Sequence, residues 1–258
     1  VHIADITPKT TIGKRDFGVN ATNTYGETVT AFFDYFLKGE NNGFIDNKRV
    51  RYFNIGDDDW RETDEWPPAS SEVQSLYLSP NKMLSSNTPS QSSVSGYTYD
   101  PSKPITITEG TNIWSRSAQM RERSVLLERD DVLVFETEAL EEDLEITGDI
   151  SLELFASSSA IDTDFTAAIV DVYPDGYSLL IQEGILRASH RNKNESPSHI
   201  NPDEIYQFNI DLWSTSYVIP AGHKLRLEIS SSNFPRFARN LNNGEPFGMS
   251  SDIVIADQ

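Results

Sequence analysis

The chain divides by the period of its apolar residues. Over TYGETVTAFFDYFLK, residues 24–38, Tyr25, Val29, Phe32, Phe33, Phe36 and Leu37 recur at helical spacing and form one wide apolar face. Thr24 and Glu27 have the spacing of a capping box, and Gly39 stands where a helix stop belongs. The pattern predicts a helix over 24–38. From Lys48 onward the period falls to two. Short alternating or β-branched runs follow one another: RVRYFNI, VQSLYL, DVLVFETE, EITGDISLELFASS, DFTAAIVDVY, YSLLIQEGILRASHR, EIYQFNIDL and HKLRLEISSS. Turn residues separate them at Pro174-Asp175-Gly176, Asn201-Pro202-Asp203 and Pro220-Ala221-Gly222. Alternation puts Ile150, Leu152, Leu154 and Ala156 on one face of their strand, and Leu225, Leu227 and Ile229 on one face of theirs. Strands without helical interludes predict a mainly β fold of two packed antiparallel sheets, a sandwich or jelly roll, with the helix outside it. Residues 80–118 are poorer in signal, and PNKMLSSNTPSQSSVSG reads as a long surface loop. The sequence offers no second helix to receive the aromatic face of the first. That face must find a partner elsewhere or fold back on the sheets.

Composition narrows the functions. The 258 residues are 37% hydrophobic and 24% charged, as in a soluble globular protein. No apolar run approaches the roughly 20 residues that cross a bilayer, and VHIADITPKT lacks the basic start and apolar core of a signal peptide. There is no initiator Met, so the sequence is expected to begin inside a longer protein or after processing. A formal net charge of −19 repels phosphate backbones and disfavours nucleic acid as a partner. Cysteine is absent, which excludes disulfides, thiolate catalysis and Cys-based zinc sites but leaves the compartment open.

No complete catalytic constellation is present. There is no G-x-S-x-G nucleophile elbow, P-loop, dinucleotide fingerprint, HExxH or EF-hand loop, so no cofactor is expected. His190, His199 and His223 sit at strand ends or in loops, and without an activated nucleophile as partner they read as structural or surface residues. Asp57-Asp58-Asp59 and the pair Asp162 and Asp164 could offer oxygens to calcium, but neither has the spacing of a binding loop, so no metal site is assigned. Trp60, Trp66, Trp114 and Trp213 could form a sugar-binding face, which keeps a free-standing carbohydrate- or ligand-binding module as the competing reading. A purely structural or oligomerisation domain is the third. SSSNFPRFARN, residues 230–240, combines Phe234, Phe237, Arg236 and Arg239 after a strand. It is either a loop that caps the sandwich or a contact to another domain.

Several segments carry a family resemblance. DFG (16–18), FFDYFLKGENNG and VRYFNIGDDDWRETDEWP resemble the junction between the two parts of X-Pro dipeptidyl-peptidase and cocaine-esterase type serine hydrolases, the CocE/NonD family. SLELFASSSAIDTDFTAAIVDVYPDGYSLLIQEGILRASHR resembles the core of that family's C-terminal jelly roll, and IDLWSTSYVIPAGHKLRLEISSSNFPRFARNLNNGE its closing part. The resemblance implies a division of the chain. Residues 1–46 would be the C-terminal end of an incomplete α/β-hydrolase domain, whose last helix is the one predicted here. Residues 47–258 would be a jelly-roll, galactose-binding-like accessory domain. It implies a Ser-His-Asp triad acting on esters, amides or X-Pro dipeptides, with Ser and Asp upstream of residue 1. The family histidine follows G-P-W plus one residue, so Val1-His2 makes His2 the candidate. The missing hydrolase domain would be the partner of Phe32, Phe33 and Phe36 on the helix and of Phe234, Arg236, Phe237 and Arg239. Without it the chain is expected to be inactive and to self-associate through the helix.

Overall fold

A computed structural model describes residues 10–12, 15–22, 25–106, 122–246 and 248–258. It begins with a small antiparallel pair, β1 (Thr11–Ile12) and β2 (Arg15–Asp16), followed by helix α1 (Tyr25–Lys38). Thr24 of the expected capping box and Trp114 lie outside the described residues. The stop falls as expected: Gly39 adopts a left-handed φ of 72°, and the amides of Gly39 and Glu40 return to the carbonyls of Tyr35 and Asp34. Next comes a hairpin of β3 (Val50–Asn54) and β4 (Asp59–Thr63). Short strands β5 (Tyr77–Ser79), β6 (Met83–Ser85) and β7 (Thr98–Tyr99) precede β8 (Leu133–Glu136). The long strands then follow: β9 (Leu144–Ala156), β10 (Asp164–Val172), β11 (Ser178–Arg187), β12 (Tyr206–Ile219) and β13 (Lys224–Ser230). β14 (Ala256–Asp257) closes on β7.

The strands pack as a sandwich. One layer is a six-stranded sheet in the order β11-β10-β13-β8-β6-β5; the other is the long antiparallel ribbon β12-β9. Alternation decides what lies between them. Phe135 of β8, Phe165, Ala167 and Ile169 of β10, and Leu225, Leu227 and Ile229 of β13 face Phe208, Ile210, Leu212, Tyr217 and Ile219 of β12 in one buried core. Phe165 and Phe208 meet across the layers with ring centroids 4.7 Å apart. Ile150, Leu152, Leu154 and Ala156 of β9 pack at its margin, on the face their alternation predicts.

The structure departs from the sequence pattern at three places. Residues 80–96 are not surface loop throughout: Met83–Ser85 form β6, and Leu84 enters the main core. A strand of three residues is too short to show a period. Asp59, the last of the three consecutive aspartates, opens β4. β12 runs seven residues beyond Leu212, to Ile219, because the register shifts between Asp211 and Ser214 and the strand then resumes. At that bulge Trp213 takes a φ of 66°, with its amide on Asp211 Oδ1. Gly184 of β11 allows the close approach, since a Cβ there would overlap the Asp211 carbonyl.

Candidate functional site

Helix α1 buries none of its residues. Phe32, Phe33 and Phe36 are 40%, 48% and 53% exposed, and Leu37 is more exposed still. Their rings meet one another, Tyr35, and Phe44 of the short turn after the helix; Phe32 lies 4.8 Å from Phe36 and 5.5 Å from Phe44. Asn42 Nδ2 donates to the Ala31 carbonyl at 2.8 Å and ties that turn to the helix. The helix and turn together therefore present one aromatic patch. Surfaces of this kind mark interaction sites.

The 230–240 segment is built differently. Most of its polar atoms are turned inward. Ser231 Oγ pairs with Tyr97 Oη at 2.8 Å, and Ser232 Oγ accepts the Ile105 amide at 2.9 Å. Asn233 Nδ2 donates to Glu183 at 2.8 Å, and Asn240 Nδ2 donates to Asp162 and Asp164. Both arginines find partners inside the chain: Arg236 pairs with Glu183 and lies over the Phe237 ring, and Arg239 donates to the Pro101 carbonyl at 2.8 Å. Phe234 remains 38% exposed. Among the segment's predicted contact residues, then, the rings keep free surface while both guanidinium groups already serve this domain.

The contacts of Asn233 and Arg236 to Glu183 join a buried ionic layer on the outer face of the six-stranded sheet. Arg123 Nε donates to Glu228 at 2.6 Å and its Nη1 lies 3.8 Å from Glu183; Arg226 Nε donates to Glu136 at 2.7 Å. Arg123, Glu183, Arg226 and Glu228 are all under 7% exposed. Burial of such groups is costly unless they are paired, and here opposite charges alternate across neighbouring strands. Sequence reasoning missed this layer. Its members lie far apart in the chain, and the signal available was the alternation of charge within RLE of β13.

The remaining candidates resolve as follows. His2 lies outside the described residues. His223 Nδ1 donates to Asp171 at 2.7 Å, and the same buried carboxylate accepts from Tyr217 Oη at 2.9 Å. His199 pairs with the Gly244 carbonyl and His190 with Ser189 Oγ. Asp57 pairs with Arg61, Asp58 with Arg15, and Asp164 with Arg187, so these carboxylates are held by cations of the chain itself. Among the described residues no cluster of three His, Cys, Asp or Glu side chains has the arrangement of a metal site. Trp60 stacks edge-on with Phe53 and Trp66 with Tyr52, whereas Trp213 is 66% exposed. Among the described residues, no helix is long and apolar enough to cross a membrane.

The described chain is thus a mainly β sandwich preceded by a helix whose aromatic face is exposed. Residues 42–253 match the X-Pro dipeptidyl-peptidase C-terminal non-catalytic domain, and the chain belongs to that family. It is 38% identical over 243 residues to the cocaine esterase of Rhodococcus sp. (strain MB1 Bresler), covering 89% of this chain and 42% of that protein. It is 23% identical to a putative Xaa-Pro dipeptidyl-peptidase of Bacillus cereus, over 84% of this chain and 35% of that one. Among solved structures, an aminopeptidase from the marine sediment archaeon Thaumarchaeota archaeon superimposes with a TM-score of 0.83 at 26% identity, over 97% of this chain and 44% of that chain. An α-amino acid ester hydrolase gives 0.82 at 25% identity, over 97% and 45%. The chain thus corresponds to the C-terminal domain of CocE/NonD-type hydrolases, and spans less than half the length of these relatives.

Proposed function

We propose that this chain is the C-terminal part of a serine hydrolase and that its sandwich buttresses and shapes the active site of a preceding α/β-hydrolase domain. In this reading residues 1–46 complete that domain, residues 47–258 are the accessory jelly roll, and His2 is the histidine of its triad. The observation that carries the reading is α1, whose aromatic face is left bare by a sandwich that buries its own core completely. The match to less than half of each relative supports it, as does the chemistry of those relatives, an esterase and dipeptidyl-peptidases. The substrate is accordingly an ester, an amide or an X-Pro peptide.

The test compares this chain with the longer polypeptide that carries its upstream part. The longer form is expected to hydrolyse p-nitrophenyl acetate or Ala-Pro-p-nitroanilide, and the 258-residue chain to give no turnover above buffer, because it lacks nucleophile and oxyanion hole. Phe32→Ser with Phe36→Ser in the longer form should lower turnover while the sandwich stays folded. Turnover by the shorter chain that survives repurification and is lost on a substitution within it would overturn the proposal.

A further inference from the structure

The β3–β4 hairpin touches two things at once. On one side it is fixed to β12. Ile55 donates its amide to the Ser216 carbonyl at 3.0 Å and accepts the Val218 amide at 2.7 Å. Asn54 is fully buried and donates to Ser216 Oγ at 2.8 Å. Gly56 takes a φ of 119° so close to β12 that a Cβ would lie 2.6 Å from that of Val218. Only glycine meets both conditions there.

On its other side the hairpin holds the segment that precedes α1. Arg15 Nη2 donates to Asp58 Oδ1 at 3.0 Å, and that oxygen also caps the turn through the Gly56 amide at 3.2 Å. Phe17 is buried and meets Phe53 edge-on at 6.4 Å, with the Arg15 guanidinium 5.3 Å from the Phe17 ring centre. Phe53 in turn stacks on Trp60, whose Nε1 donates to the Asn20 carbonyl at 2.7 Å. An ion pair, an aromatic stack and an indole hydrogen bond thus converge on Arg15–Ala21 from three residues of one hairpin. The pair is partly sheltered, with side chains 22% and 29% exposed. α1 itself has no buried residue with which to set its orientation. The segment before it does.

We propose that the β3–β4 hairpin is a two-sided clasp that registers the preceding part of the polypeptide on the sandwich, with Phe53, Asp58 and Trp60 as positioning residues for Arg15–Ala21. This rests on the reading that a catalytic part precedes the sandwich, and it adds where the two are coupled. The ligand of the clasp is the chain's own segment. The aromatic face of α1 supplies contact area, while the clasp supplies the register.

Calorimetry of the longer polypeptide tests this without relying on turnover. The wild type should melt in one transition. Arg15→Ala with Trp60→Phe removes two links and leaves the turn and an aromatic ring beside Phe53 in place. It should split off an earlier transition by about 5 °C while the sandwich transition stays put. Amides of Phe17 and Ala21 should then exchange roughly tenfold faster, with those of β10 and β13 unchanged. Arg15→Lys, which keeps the cation, should restore most of the coupling. Asp58→Asn keeps the turn cap and tolerates the local φ of 54°, so it should show the loss of the ion pair alone. A double variant that melts like the wild type overturns the clasp. So does one that lowers the sandwich transition itself, since the segment would then be ordinary core. If the longer polypeptide shows no hydrolysis but its transitions split as described, the hydrolase reading fails and the clasp stands.

Discussion

Helix α1 and strand β10 are both built from strongly apolar stretches, yet every residue of β10 is buried and no residue of α1 is. β10 is covered on both faces by its own chain: by Phe208 and its neighbours on the inside, and on the outside by the ionic layer that includes Glu183 and Glu228 of its neighbouring strands. α1 has an aromatic face too, and among the described residues the Phe44 turn packs its ring against it. An apolar period therefore foretells that a surface will be covered, and says nothing of whose atoms cover it. β10 is covered by this domain, whereas the described residues leave α1 exposed.

The contrast can be attacked from the β10 side first. Phe208→Ala removes the fully buried ring packed on Phe165. It should cost about 3–5 kcal/mol, read as a lower urea midpoint with an unchanged slope. Gly184→Ala forces a methyl into the Asp211 carbonyl opposite β10. It should cost about 1–3 kcal/mol and move the Trp213 fluorescence as the bulge shifts. Equal stability to the wild type would mean that the two strands do not approach as described.

A pH series probes β10 more gently. Burial pushes the Asp164 carboxyl above its ordinary value, against the opposing pull of Arg187 and Asn240. The folded state then holds this proton more tightly than the unfolded state. The stability contributed by the protonated form is present below the unfolded pKa and is lost as pH rises through the folded one. Relative to Asp164→Asn, the wild-type melting temperature should fall across that acidic window and run parallel above it. A gap that widens in the opposite direction would show that Arg187 outweighs burial.

The smallest effect is expected at α1. Phe32→Ser with Phe36→Ser should change sandwich stability by no more than about 0.5 kcal/mol, because neither ring is part of its core. In the ultracentrifuge the same double variant should sediment as a monomer, and the unsubstituted 258-residue chain is expected to self-associate. A lowered melting temperature in an already monomeric fragment would instead mean that α1 folds back on the sheets.

Much of this was legible in the residue pattern, and the illegible parts share a cause. The helix, its glycine stop and the eight short alternating or β-branched runs each rest on neighbours close in the chain, where periodicity operates. The inward faces of β9 and β13 followed for the same reason. The order of the strands, the entry of Leu84 into the core and the ionic layer depend on pairings between distant residues, and no local period encodes those. Arg123 and Glu228, for example, are 105 positions apart. The 230–240 segment had the right composition for an external contact. Its buried serines pair with a phenol and accept a backbone amide, and its asparagines donate to carboxylates of this domain, a role that polar side chains in a loop do not announce.

The long reach of those pairings also sets a timetable. Tyr97 waits for Ser231, 134 residues later, and Asn54 for Ser216, 162 residues later. At the 5–20 residues per second of protein synthesis, the first of these gaps lasts roughly 7–27 s. During that time the early strands have been made but their partners have not. Folding dominated by such distant contacts is slow even for the finished chain. An emerging polypeptide of this kind would carry half-made sheets uncovered while synthesis continues, so holding chaperones and synthesis rate should bear on its yield more than the stability of the finished sandwich does.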